Sequence, residues 1–517
     1  MVNPRIWTLS LLLLVLGIAE HTSASAQEPR QPEWLKGVDR QVQQVMDEWG
    51  VPGLALGVVT DSSVVLTKGY GRGHVEADAP VTDQTLFAIG STTKAFTAAV
   101  LGMMHDEEAL DWSAPVRTYL PRFRLKDPVA SREITPLDLL THRSGLPGHD
   151  ALWGVTDLPR EELVARLRYL EPSEPFRTTF QYQNLMYTAA GHLAGQVAGS
   201  TWEETVQSRL FAPLGMTRST FSVTTMQETD DYARPYGDAL EDYDRIDYRN
   251  IDPVGPAGSI NSSVAEMTSW VRLFLNEGRH DGTQVIEAET IAELTRPRIV
   301  WMDFPVPFTK TEEVPYHLYG LGWVVESYHG HRHVWHTGGI DGFSAIVSLL
   351  PDRDVGWVLL TNKDDTEVPL LLTYELVDRV LGRDGPDWSR RVADALDRGE
   401  DDESGEEGGE DDATDADSSN AQPSHPPAAY AGTYEHPGYG TLTVEATTDS
   451  MRGRYGTLSG PLRHRQHDTF ALRYRSAGDT LSMPLHFDTS MDGTVDAVEV
   501  PMEPAVDPIV FSRSDDE

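Results

Sequence analysis

Near the start of the chain the apolar residues Trp34, Val38, Val42, Val45, Met46 and Trp49 recur at helical spacing. They predict a helix that Gly50-Val51-Pro52-Gly53 ends. Two runs rich in β-branched residues follow, 54–59 and 64–70, separated by Thr60-Asp61-Ser62-Ser63. That pattern predicts a strand hairpin. The apolar run 87–89 stops at Gly90, and Ser91 then stands as N-cap of a helix through Ala95, Phe96, Ala98, Ala99, Val100, Met103 and Met104.

The middle third reads as helices and long loops. A short helix over 136–140 runs into Thr141-His142-Arg143-Ser144-Gly145-Leu146-Pro147. Helices are predicted over 185–197, 201–211, 264–275 and 286–294, and the Asp-, Tyr- and Arg-rich stretch 230–252 reads as a surface excursion. Strand signals return over 321–327, 331–336, 343–350 and 355–361, with turns at Gly330, Gly338-Gly339, Asp341-Gly342 and Pro351-Asp352, before a helix over 368–381. Strands at both ends with helices between predict an α+β domain: one antiparallel sheet assembled from distant segments and flanked by helices. From Tyr430 to Arg513 short alternating runs at 440–444, 470–474, 481–487, 497–500 and 509–511 predict a small all-β barrel.

Charge and composition divide the chain further. Its 517 residues exceed one ordinary core, and 81 acidic against 42 basic residues leave a formal charge of −39. Nucleic acid and anionic membrane surfaces are therefore poor partners. The absence of cysteine excludes disulfides, thiolate metal sites, cysteine nucleophiles and a lipid-modified cysteine anchor. Arg5, the apolar run 9–18 and Ala24-Ser25-Ala26 have the layout of a secretory signal cleaved after Ala26. The run is short for spanning a bilayer. A secreted or periplasmic protein with no membrane anchor after cleavage is expected. The acidic run 400–417 and Pro423-Ser424-His425-Pro426-Pro427 predict a disordered linker. The expected layout is a signal peptide at 1–26, a first domain at 27–385, an acidic linker at 386–427 and a barrel at 428–517.

Three segments carry candidate chemistry. Ser91 and Lys94 are i and i+3 on one helix, so hydroxyl and amine share a face at its N-terminus. A serine hydroxyl attacks only when a base takes its proton, and a lysine whose pKa is lowered by burial and positive surroundings can be that base. Only six lysines occur, at 36, 68, 94, 126, 310 and 363, and of these only Lys94 has a serine three positions earlier. Tyr182 and Asn184 precede the helix at 185–197. Tyr182 could shuttle protons if cationic surroundings stabilise its phenolate, and Asn184 could accept from Lys94 and donate to a substrate carbonyl. His336-Thr337-Gly338-Gly339 ends a strand, where the glycines allow close backbone approach. The amides of Ser91 and Gly339 could form an oxyanion hole, and His336 can hydrogen-bond and carries charge when protonated. A metal site on His329, His331 and His333 is the competing idea; the histidines alternate along a strand, but no carboxylate is suitably interleaved.

Together these segments resemble the penicillin-recognising serine hydrolases, the superfamily of class C β-lactamases, D,D-carboxypeptidases, D-aminopeptidases and related esterases. Ser91-x-x-Lys94, Tyr182-x-Asn184 and His336-Thr337-Gly338 fall in the order of its three motifs, with histidine where most members have lysine. Further similar segments are Leu139 to Leu146, Tyr187 with Gly191, Pro213-Leu214-Gly215-Met216, and Pro256-Ala257-Gly258-Ser259 with Ser262. The tail, through Ala431-Gly432-Thr433-Tyr434, Gly438-Tyr439-Gly440 and Val510-Phe511-Ser512-Arg513, resembles the lipocalin-like β-domain appended to some members.

The resemblance implies a β-lactamase/transpeptidase-like fold and acyl transfer through Ser91, Lys94 and Tyr182. It places Ser91 and Gly339 at the oxyanion and Asn184, His336, Thr337 and Gly338 at the substrate. It implies no metal or organic cofactor and a small-molecule or short-peptide substrate, and leaves homo-oligomerisation open. Histidine is only partly charged at neutral pH, so a peptidase on short or D-residue peptides is expected ahead of an esterase or a weak class C-type β-lactamase. A non-catalytic penicillin-binding receptor is the alternative of another class.

Overall fold

Nine antiparallel strands form the sheet on which the rest of the chain is assembled. The computed structural model describes residues 31–60, 63–237, 244–302, 314, 316–406, 422–448, 450–476 and 479–514. The expected signal peptide and most of the acidic run lie outside the described residues. The sheet strands are β1 (Gly53–Thr60), β2 (Ser63–His74), β3 (Ala79–Pro80), β4 (Ile299–Trp301), β5 (His317–Tyr319), β6 (Val324–Tyr328), β7 (His331–Ile340), β8 (Phe343–Leu350) and β9 (Val355–Thr361). Their order is β3-β2-β1-β9-β8-β7-β6-β5-β4, so the first and last thirds of the chain meet where β1 pairs with β9.

All residues of β1, β8 and β9 are buried, which explains their nearly unbroken apolar runs. Leu54, Leu56 and Val58 of β1 face a core shared with helices α1 (Val38–Glu48) and α5 (Val368–Leu381). Ala55 and Val59 face the larger core containing α2 (Thr93–Asp106), α3 (Asn184–Ala198) and α4 (Val264–Leu275). The strands are thus covered on both faces, and the α+β, transpeptidase-like architecture expected from the chain is present.

Three segments differ from expectation. In the stretch 230–252, expected as a surface excursion, the described residues Ala233, Tyr236 and Ile246 are buried, the Ala233 amide donating to the Leu86 carbonyl and the Arg234 amide to the Gly73 carbonyl at the end of β2. The acidic linker expected over 386–427 starts as helix α6 (Trp388–Glu406). Its Trp388, Val392 and Ala395, at i, i+4 and i+7, are buried in the second core, and Trp388 stacks on Tyr374. The barrel is closed by eight strands, three more than the apolar runs announced: Gly432–His436, Met451–Tyr455 and Leu458–Gln466 are the additions.

The barrel docks against the segment 147–157. The Thr457 amide donates to the Val155 carbonyl at 2.8 Å, Tyr439 Oη lies 2.7 Å from His149 Nδ1, and the His149 amide donates to Glu503 Oε2 at 2.6 Å.

One buried charge sits within the sheet. Glu326 lies 2.8 Å from His333 Nδ1 and 3.2 Å from His317 Nε2, and accepts from Tyr374 Oη at 3.1 Å. Burial alone would raise its pKa, but the hydrogen bonds of His317 and His333 outweigh burial and hold it at about 2. Its folded value lies below its unfolded one, so its stabilisation is complete above about pH 4.5 and is lost as pH falls toward 2. The contribution is roughly 3 kcal/mol. Urea unfolding between pH 3 and 6 is expected to show this slope in the wild type and a flatter one in Glu326→Gln; equal slopes would count against it.

Candidate active site

The segment before Ser91 is held from two sides. Phe87 and Ala88 pair with Ser262 and Asn261, and the Ile89 amide donates to the Ile260 carbonyl. Gly90 then turns with φ +50, and a 3-10 turn over Gly90–Thr92 leads into α2. A Cβ on Gly90 would lie 2.7 Å from the Gly339 nitrogen, and one on Gly338 would lie 2.0 Å from the Ile89 carbonyl oxygen. Backbone meets backbone here, and only glycines permit it.

That contact brings two amides together. The Ser91 amide opens the helix, where N–H groups have no intrahelical acceptor. A two-residue turn closes the β7–β8 hairpin between Ile340 and Phe343, which makes Gly339–Ser344 a non-hydrogen-bonded pair. The Gly339 amide is therefore directed away from β8. On that side β6 covers β7 only as far as Trp335, and the Ser91 turn occupies the remaining edge.

Lys94 is fully buried. Its Nζ lies 2.9 Å from Ser91 Oγ, 2.8 Å from Asn184 Oδ1 and 2.9 Å from the Ala257 carbonyl oxygen. Burial pushes its pKa well below the ordinary lysine value, against an opposing pull from Asp150. The neutral amine satisfies this geometry without residue: two N–H groups donate to Asn184 and Ala257, and the lone pair accepts the Ser91 hydroxyl.

The Tyr182 ring lies over the amine, its centroid 4.7 Å from Nζ. His142 stacks on one side of it at 4.5 Å and Trp301 at 5.9 Å. Burial raises the phenol's pKa, the neighbouring Ser91 hydroxyl works the other way, and Asp150 adds to the rise. The phenolate considered from the sequence is thus replaced by a protonated phenol, because desolvation prevails.

His336 also differs from expectation. Its side chain sits behind Tyr182 (centroids 6.4 Å), Nδ1 donating to the Thr337 carbonyl at 2.5 Å and Nε2 accepting from Tyr319 Oη at 2.9 Å. Burial and Lys94 lower its pKa to about 3, against a smaller opposing effect of the Thr337 carbonyl. Neutral, with both ring nitrogens engaged, it offers no charge for capturing a carboxylate. Thr337 and Gly338 lie on the same strand end, Thr337 half-buried. Asn184 accepts from Lys94 as expected, while its amide nitrogen stands 3.4 Å from Asp150 Oδ1. The three predicted segments therefore converge on one hydroxyl.

Sequence reasoning assigned no role to Asp138, His142 or Asp150. Asp138 accepts from Thr135 N–H at 2.8 Å, Arg143 Nε at 2.6 Å and Arg177 Nη2 at 2.6 Å. It thereby ties the loop carrying His142 to the loop that leads to Tyr182. His142 in turn accepts the Gln183 amide at 2.9 Å on Nδ1. Local spacing signals the Thr135–Asp138 capping box, but not partners five and 39 residues away.

The chain is similar to several known proteins. A family model described as Beta-lactamase matches residues 38–381, and one described as a domain of unknown function matches 416–513. Unguisins hydrolase ungD of Aspergillus violaceofuscus is 30% identical over 519 residues, covering 90% of this chain and 88% of its own. Penicillin-binding protein 4 of Amycolatopsis lactamdurans is 27% identical over 61% of this chain and 82% of its own. Among solved structures, the octameric penicillin-binding protein homologue from Pyrococcus abyssi superposes with TM-score 0.58 at 20% identity, over 92% of this chain and 99% of its own. A class C beta lactamase from Rhodobacter sphaeroides gives 0.54 at 22% identity, over 67% and 99%.

Breaking the Asp138 clamp is expected to destabilise the protein. Burial works to raise the Asp138 pKa, but Arg177, Arg143 and Thr135 outweigh it and lower it. Asp138→Ala leaves both partly exposed arginines without their shared carboxylate and should cost about 1.5–3 kcal/mol, read as a lower urea midpoint. A loss below about 1 kcal/mol, the value of an exposed pair, would refute the clamp.

Proposed function

This chain belongs to the beta-lactamase family, and from that premise we propose that it is an exported serine hydrolase, most nearly a peptidase on short or D-residue peptides, working through an acyl-serine. The observation that carries the reading is the buried Lys94 amine, its pKa pushed well down by burial, 2.9 Å from the Ser91 hydroxyl. Lys94 takes the Ser91 proton as Oγ attacks the scissile carbonyl carbon. The amides of Ser91 and Gly339 hold the oxyanion. Tyr182, a phenol beside Lys94, gives its proton to the leaving nitrogen or oxygen and is reprotonated from Lys94. Water then attacks the acyl-serine, giving a proton to the same pair, and Ser91 leaves protonated. Asn184 and the edge of β7 at Thr337 and Gly338 would align the substrate.

The neutral state of His336 favours a peptidase or esterase over an efficient β-lactamase, whose substrates carry a carboxylate to be captured. The match to a hydrolase across both domains supports the same reading. Export is inferred from residues 5–26 and sends the protein to the periplasm or beyond.

The purified chain should be labelled by a fluorophosphonate, and Ser91→Ala should abolish labelling; an unlabelled folded wild type would favour a binding receptor. Lys94→Met should lower kcat by about 10²–10⁴-fold, the usual contribution of a general base. In the wild type kcat should fall as pH drops through the lowered lysine value, because an ammonium has no lone pair to accept a proton. Turnover of D- and L-peptides, p-nitrophenyl esters and a chromogenic cephem would rank the substrate classes; a strong preference for the cephem would overturn the ranking.

A further inference from the structure

Asp150 is a carboxylate that the proposed acyl transfer does not use and that works against it. It is exposed at the cleft, with Oδ1 3.4 Å from the Asn184 amide nitrogen and 2.6 Å from the Trp153 indole nitrogen. Asn184 in turn bonds Lys94, which bonds Ser91. One side-chain amide therefore separates Asp150 from the lysine that touches the reacting hydroxyl. No cation of the described residues pairs with it. Arg249, on the same rim through its bond to the Gly154 carbonyl, pairs instead with Asp341 at 3.0 Å.

The carboxylate is held in place from outside the catalytic domain. His149, at φ +49 and buried, donates its amide to Glu503 at 2.6 Å, and its ring is fixed between Tyr439 Oη at 2.7 Å and the Glu171 carbonyl at 2.9 Å. Two barrel residues thus set the residue immediately before Asp150. Asp150 raises the pKa of both Lys94 and Tyr182, which disfavours the neutral amine and the loss of the phenol proton. An unpaired anion at this place is useful only if the substrate brings the opposite charge.

Building on the acyl-serine reading, we propose that Asp150, seated by Tyr439 and Glu503 of the barrel, binds a substrate ammonium group next to the scissile carbonyl, so that the preferred substrates are acyl compounds with a free α-amine. An α-ammonium is two covalent bonds from the carbonyl carbon, which suits a carboxylate set beside the Ser91–Lys94–Asn184 chain. Its binding cancels the field of Asp150 at Lys94 and Tyr182, so the site is at its most reactive with the cation in place. A blocked amine leaves that field uncancelled.

Two measurements on the full chain separate this proposal from the reading beneath it. In calorimetric titration the wild type should bind alaninamide, in its preferred enantiomer, at least tenfold more tightly than N-acetylalaninamide. Asp150→Asn should erase the difference, Asp150→Glu should retain part of it, and Tyr439→Phe should weaken it. No preference in the wild type, or the same preference in Asp150→Asn, overturns the proposal whatever the activity. Fluorophosphonate labelling of Ser91 judges the acyl-serine reading alone. For turnover, the ratio of kcat/KM for alanine p-nitroanilide over its N-acetyl form should fall at least tenfold in Asp150→Asn; an unchanged ratio overturns the proposal.

Discussion

A lysine amine buried with no carboxylate in direct contact is the constraint on which the rest of the site depends. Placing Nζ away from water disfavours the ammonium, and the two carbonyl-type acceptors at Asn184 and Ala257 match the two donors of a neutral amine. The third direction is left to Ser91. The surroundings follow from keeping that arrangement dry. Tyr182 and Tyr187 put ring faces toward the amine at 4.7 and 5.5 Å, and His142 fills the space behind Tyr182. Charged histidines here would repel any protonated lysine, and burial together with Lys94 lowers the pKa of both His142 and His336.

The second requirement is that the turn bearing Ser91 and the strand bearing Gly339 touch through their backbones. Each segment is anchored separately, Phe87–Ala88 against Asn261–Ser262 and β7 within the sheet. Their approach depends on the missing side chains of Gly90 and Gly338. The chemistry therefore rests on the β1–β9 pairing too, since that pairing joins the N-terminal segments to the strands that carry the glycine edge.

How far this could be read from the chain depended on how local each feature is. Ser91 and Lys94 were legible because the 3-10 turn carrying Ser91 runs directly into the helix carrying Lys94, and the ends of β8 and β9 were sharp because long apolar runs stop at turn residues. The protonation states were not legible, since they depend on burial: the same tyrosine in an exposed loop would titrate normally. Composition misled at residues 386–406, where acidic residues outweigh the stripe of Trp388, Val392 and Ala395 that seats the helix. In the barrel, Met451, Gly453 and Tyr455 point inward between exposed Arg452 and Arg454, an alternation with too few large apolar residues to announce a strand.

The relation between the two domains follows from where the barrel is attached. It contacts the loop whose Pro147 carbonyl accepts from Gln183, between Tyr182 and Asn184. That loop and the barrel share His149, buried with both ring nitrogens and its amide bonded, and in a left-handed conformation uncommon for a side-chain-bearing residue. A strained backbone persists only where its surroundings over-determine it. Here Tyr439 and Glu503 supply much of that determination, so removing the barrel would also release the loop beside Asn184. The barrel is therefore part of the cleft's construction, and substrate preference and domain docking depend on the same few hydrogen bonds.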